Sequence, residues 1–187
     1  MSITYTNRQG SAYHLHQGIT KKGNPRYYFS KKQPTTAVKT IPAGYEINEI
    51  PNGQVFLRKI QPKLITDQER TVIEDVLHEH PHLHTIVDIK KDKIIIHTSD
   101  QDFVPLLQEL APYTPKPGLQ DALNRSRTYT PMMRFTLVDK EARNFIVERF
   151  NFRGSIDDWM FIDSGKSLPK LAAKYIPHLG KESFYDL

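Results

Sequence analysis

Tyr13-His-Leu-His-Gln-Gly-Ile-Thr-Lys-Lys-Gly-Asn-Pro-Arg-Tyr-Tyr-Phe-Ser-Lys-Lys32 reads as two β-strands folded about a basic loop. Tyr13, Leu15 and Ile19 alternate with His14, His16 and Gly18, the period-2 pattern of a strand with one buried face. This reading turns both histidines away from the core. On the return strand Tyr27 and Phe29 share one face, while Arg26, Tyr28 and Ser30 share the other, so one tyrosine is expected in solvent. Thr20-Lys-Lys-Gly-Asn-Pro25 between them supplies turn-formers and charge.

Working outward, Ile3 to Thr6 reads as a strand before this hairpin, and Tyr45–Ile50 and Gln54–Ile60 form a second hairpin after it. Asn52-Gly53 between the latter two predicts a type I′ turn, which needs positive φ angles. The front of the chain is therefore expected to be one antiparallel sheet of about five strands, closed at Gln61-Pro-Lys63. Thr66-Asp-Gln-Glu69 matches a capping box, and a helix follows with Val72, Ile73, Val76 and Leu77 as its apolar stripe, bounded by Pro81. Strands at Leu83–Ile89 and Ile94–Thr98 flank a charged turn, and Phe103, Leu106, Leu107 and Leu110 share the face of a second helix. Three prolines and a glycine in Pro112–Gly118 mark a crossover. Beyond it come a short helix at Leu119–Arg127, strands at Met132–Val138 and Asn144–Phe152, and a mixed stretch at Ile156–Ile162. A last helix begins at Ser167, with Leu168, Leu171, Ala172, Tyr175 and Ile176 on one face.

The expected class is α+β: an N-terminal antiparallel β-sheet module followed by two α-β-β-α units, which read as a diverged structural repeat. Residues 1–63 form the basic antiparallel β module, and residues 64–187 the α+β region with its Pro-rich crossover at 112–118.

Charge divides along the same line. Residues 1–63 carry ten Lys/Arg against two Asp/Glu, a formal +8, whereas the rest carries 16 against 19, a formal −3. A basic front and an acidic rear imply that one part faces a polyanion and the other serves as scaffold or protein-contact surface. The absence of cysteine excludes disulfides, thiolate metal sites and thiol nucleophiles. The N-terminal residues are polar, and no apolar run approaches the roughly 18 residues of a membrane span, so the expected location is the cytoplasm, with no membrane partner.

Three constellations bear on chemistry. His78, His80, His82 and His84 stand at alternate positions, but Pro81 interrupts them, so they read as solvated residues near a helix C-terminus, where the dipole favours positive charge. His97 joins them only if the hairpin brings it beside His84. Asp88-Ile-Lys90 has the carboxylate–lysine spacing of metal-dependent nucleases, with Glu74 the conceivable second carboxylate, but so short a motif is expected by chance. Gly154-Ser-Ile-Asp-Asp-Trp159, with Asp163 nearby, reads either as a metal or partner site or, preferably, as a structural corner in which the acids bond local amides and Trp159 anchors the core. Gly-rich phosphate loops, the Gly-x-Ser-x-Gly elbow and dinucleotide fingerprints are absent from the sequence. No catalytic residue, metal ligand or cofactor is assigned.

Tyr13-x-Leu15…Thr20-Lys-x-Gly23…Tyr27-Tyr-Phe29, together with Arg153-Gly-Ser-Ile-Asp-Asp-Trp159, resembles a group of small stand-alone bacterial proteins to which no activity is attached; the resemblance implies a bacterial, cytoplasmic origin. Over Tyr13–Lys32 alone, the basic Lys-x-Gly loop between aromatic strands is similar to the small three-stranded DNA-binding sheets of phage-type integrases.

The functional expectation is a non-enzymatic nucleic-acid-binding module. Lys21, Lys22, Arg26, Lys31 and Lys32 would contact phosphates, and Tyr27 or Tyr28 would stack on bases. The alternatives are an adaptor or inhibitor whose basic face meets an acidic protein, and the metal-dependent nuclease.

Overall fold

The computed structural model describes residues 2–35, 38–81, 83–110, 118–153 and 156–187, without the side chains of residues 153, 156 and 157. In chain order the strands are β1 (Thr4–Thr6), β2 (Ala12–Ile19), β3 (Pro25–Ser30), β4 (Tyr45–Glu49), β5 (Val55–Lys59), β6 (His84–Lys90), β7 (Lys93–Ser99), β8 (Thr130–Asp139), β9 (Asn144–Arg153) and β10 (Ile156–Gly165). The helices are α1 (Asp67–His78), α2 (Val104–Leu110), α3 (Leu119–Ser126) and α4 (Leu168–Tyr175). The protein is thus a mixed α+β chain with antiparallel sheets. No helix among the described residues is long and apolar enough to cross a membrane. Contacts divide the chain into two compact units, one of residues 1–61 and 102–127, the other of 62–101 and 128–187.

The first unit holds five strands in two sheets, not one: a three-stranded sheet in the order β1-β2-β3 and the separate hairpin β4-β5. Its buried apolar residues among those described are Leu15, Val38 and Val55, a thin core. Polar ties compensate. Buried Asn7 donates to the Gly53 carbonyl at 2.6 Å, the Tyr5 hydroxyl donates to Glu49 at 2.9 Å, and Arg8 donates to the Pro51 and Arg127 carbonyls. The β4-β5 turn is not type I′. Pro51 fixes its own φ near −65°, which suits the first corner of a type I turn, and only Gly53 takes a positive φ, 78°. A Cβ at Gly53 would lie 2.8 Å from Asn7 Nδ2, so the close approach of the two turns also requires glycine there.

The second unit is a five-stranded meander in the order β10-β9-β8-β7-β6, with α1 and α4 on one face. The strands of the two expected α-β-β-α units lie in one sheet, because β7 pairs with β8 through Ile94↔Phe135 and Ile96↔Met133. Ile156–Ile162, read as mixed, is most of a full strand. Alternate residues Ile94, Ile96, Met133, Phe135, Phe145 and Val147 meet Ile73 and Leu77 of α1 and Leu168, Leu171, Ala172 and Tyr175 of α4. The capping box forms: Thr66 Oγ1 accepts from Glu69 N at 3.2 Å, and Glu69 Oε2 accepts from Thr66 N at 2.8 Å. Glu69 also holds Arg143. Burial raises its pKa, but the bonds from Arg143 and Thr66 outweigh that and lower it. The crossover expected at Pro112–Gly118 lies outside the described residues, apart from Gly118.

Candidate functional site

The β2-β3 hairpin is built by its turn. Thr20 N donates to Asn24 O at 2.8 Å, Gly23 N donates to Thr20 O at 2.9 Å, and Gly23 takes φ 82°, a conformation open to glycine at no steric cost. The Thr20 hydroxyl accepts from Asn24 N at 3.1 Å, which closes the loop and holds Lys21 and Lys22 at its exposed tip.

Pairing outward from that turn sets His16 opposite Tyr28, Gln17 opposite Tyr27 and Gly18 opposite Arg26. One face carries Leu15, fully buried, with half-buried Tyr13, Tyr27 and Phe29. The other carries His16, Arg26 and Tyr28. His16 and Tyr28 stack with ring centroids 5.1 Å apart and planes 13° from parallel, and the Arg26 guanidinium lies 5.9 Å from the Tyr28 centroid. His16 Nε2 lies 2.9 Å from the Lys32 carbonyl; since a carbonyl only accepts, this nitrogen carries the proton. Tyr28 is nevertheless 42% exposed. Gly18 borders it, and even a Cβ there would stay 3.7 Å from the tyrosine ring.

Lys21, Lys22, Arg26, Lys31 and Lys32 are all exposed, and none forms an ion pair with another described residue. Lys31 Nζ lies 5.6 Å from the Tyr13 ring centroid. The one tyrosine expected in solvent is Tyr28, since Tyr27 is half-buried on the core face. His14 departs from expectation: it faces away from Leu15, yet it is buried and contacts the Thr4 hydroxyl at 3.1 Å. Over the whole first unit twelve Lys/Arg stand against five Asp/Glu, a formal +7, and over the second fourteen against sixteen, a formal −2.

The other constellations resolve differently. Among the described residues no group of three or more His, Asp or Glu is placed to hold a metal ion; His82 lies outside them. His84 pairs with Ser99 and Ile86 with His97, so His97 is two rungs away from His84 rather than beside it. The neighbour of His97 is Asp88, whose Oδ2 lies 3.9 Å from His97 Nε2 and 3.2 Å from Lys90 Nζ. Burial, against the pull of Asp88, lowers the His97 pKa to about 4. Glu74 bonds Arg70 on α1 at 2.7 Å.

Asp158 accepts from the Trp159 amide at 2.7 Å, as the structural reading of that corner expects. Gly154, Ser155 and the Asp157 side chain lie outside the description. Trp159 does not anchor the helix-covered core. It is half-buried on the opposite face, edge-on to Phe150 at 5.2 Å, with the Arg134 guanidinium 4.4 Å from its centroid. Arg134 in turn donates two bonds to Glu148, at 2.5 and 2.6 Å. Asp163 serves α4: bonds from Tyr175 and then Lys174 bring its pKa down to about 2.

The His16–Tyr28 stack was reachable from the sequence by counting rungs back from Gly23. The Arg134–Glu148–Trp159 cluster carries no local signal, because its members come from three strands whose order only the fold defines.

Compared with known proteins, the chain matches no family model, no curated protein and no solved structure. The functional reading therefore rests on the geometry above.

Proposed function

We propose that the protein is a non-enzymatic nucleic-acid-binding module whose contact surface is the β2-β3 hairpin. The observation that carries the reading is five exposed cations on and beside one hairpin, none in an ion pair with another described residue, together with Tyr28, a 42% exposed ring stacked on His16 with Arg26 beside it. Cations that make no ion pair with another described residue have none to give up when they meet phosphates, and each phosphate neutralised releases counterions. A ring held in place by its neighbours loses little conformational freedom when a base stacks on it. Lys21, Lys22, Arg26, Lys31 and Lys32 would follow the backbone, with Tyr28 as the stacking residue and Tyr27 supporting it from the core face.

Polarisation titrations of single-stranded DNA, duplex DNA and RNA over a salt series test this. Lys21→Ala/Lys22→Ala/Arg26→Ala together should weaken binding to every sequence alike and lower the slope of log K against log salt by about three units. Tyr28→Ala should remove about 1–3 kcal/mol of stacking while leaving the slope unchanged. A folded triple variant that binds as tightly as the parent would exclude the hairpin and leave the basic face to an acidic protein partner.

A further inference from the structure

The hairpin outruns its own core. β1 pairs with β2 only from Ala12 to His14, and one further bond, Leu15 N to Ile3 O at 3.0 Å, ends that edge. From His16 onward β2 has only β3 beside it within its sheet. The residues that share the core face of β2 record the overshoot: Leu15 is 0% exposed, and Ile19, four residues on, is 78% exposed. At about 3.4 Å per residue the last rung stands roughly 14 Å beyond Leu15. That rung pairs Ile19 with Pro25, both exposed. No other large apolar side chain among the described residues is as exposed as Ile19; Phe161 follows at 63%. Lys21 and Lys22 sit just beyond this apolar rung, and Arg26 projects from the opposite face beside it.

We infer that the Ile19–Pro25 rung is an apolar wedge that enters the minor groove of duplex DNA and opens a base step, with Lys21, Lys22 and Arg26 on the flanking phosphates. This rests on the nucleic-acid reading above and narrows its ligand to a bendable double helix. Isoleucine and proline are among the side chains that insert between stacked base pairs from the minor groove and kink the duplex by 20–90°. Both are stiff, isoleucine at χ1 and proline at φ, so little freedom is lost on insertion. A projecting two-stranded ribbon can reach into a groove, and cations at its tip and on its Tyr28 face are placed to meet the phosphate backbones that line one. A single strand has neither the paired backbones nor a closed base step to open. Pyrimidine–purine steps such as TA deform most readily and should be the preferred sites.

The test uses the full-length chain and a 30-base-pair DNA duplex with one central TA step, carrying a donor and an acceptor dye at its ends. The parent protein should bind and increase energy transfer as the ends approach. Ile19→Ser should keep its melting temperature, because the side chain is exposed, and should bind within about tenfold of the parent while leaving the duplex straight. Ile19→Met should restore the bend. A saturated parent complex with unchanged energy transfer would overturn the wedge, as would Ile19→Ser bending the duplex as strongly as the parent. In either case binding that is lost in the Lys21→Ala/Lys22→Ala/Arg26→Ala variant would leave the hairpin as the contact surface. Binding of single strands but not of duplex would also overturn the wedge alone. Failure to bind any nucleic acid would overturn both readings.

Discussion

The β2-β3 and β6-β7 hairpins are made of similar parts, alternating apolar residues with histidines and lysines, and they use their charges in opposite ways. In β6-β7, Lys90 is paired with Asp88, and His97 is buried and held neutral beside them. In β2-β3, Lys21, Lys22 and Arg26 have no ion-pair partner among the described residues. The contrast extends to the whole units: five of the six Lys/Arg ion pairs between described residues lie in the second unit, although the first has the greater cationic excess. Charge compensated inside a fold is committed to it, since removing one partner strands the other, whereas charge left without an ion-pair partner on a projecting hairpin is available to a partner molecule.

Variants can break or sharpen this contrast. The largest effect is expected from Glu148→Ala, which strands the half-buried Arg134 without its bidentate partner and should cost about 3–5 kcal/mol in urea denaturation. A cost below about 1 kcal/mol would mean that the second unit's charges are not structural after all.

Next comes pH. His97 titrates at about 4 when folded and near 6.5 when unfolded, so between these values the unfolded chain binds the extra proton. Stability should therefore be complete above about pH 6.5, fall by up to about 3 kcal/mol as pH drops to 4, and lose nothing further through this group below that. His97→Leu should flatten that part of the stability–pH curve. An unchanged slope would assign the acid sensitivity elsewhere, with Asp163 contributing only at lower pH, as its pKa of about 2 is approached.

The smallest effect is the most telling for the hairpin. Arg26→Ala should change the unfolding free energy by no more than about 0.5 kcal/mol, because the side chain is exposed and makes no ion pair with another described residue. A loss comparable with that of Glu148→Ala would abolish the distinction between the two hairpins.

What could be read from the sequence was local. The capping box at Thr66-x-x-Glu69, the β2-β3 alternation and the strand–turn–strand at Lys90–Lys93 are each fixed by neighbours within a few residues, and each is present in the fold. Pairing between distant strands was not legible. Ile94, Ile95, Ile96 and His97 are consecutive and all buried, the mark of an interior strand, yet the identity of its second partner depends on a segment beyond two intervening helices. At the candidate site, which residues flank Tyr28 followed from register, but the burial of His14 did not.

The pairing of β7 with β8 has a consequence for how the chain is made. Thr98 pairs with Thr130, and residues 102–127, which lie between them in sequence, belong to the other unit. During synthesis the first unit therefore stays incomplete until residue 127 has left the ribosome, whereas every residue of β6 and β7 has emerged before then. Closing so long a loop adds little entropy cost, since that cost grows only with the logarithm of length, but until β8 is made, the strand carrying three successive isoleucines has no partner on its second edge. The Lys90-Lys-Asp-Lys93 turn beside them carries three lysines against one aspartate, and an excess of like charge next to an open edge disfavours the pairing of two such hairpins.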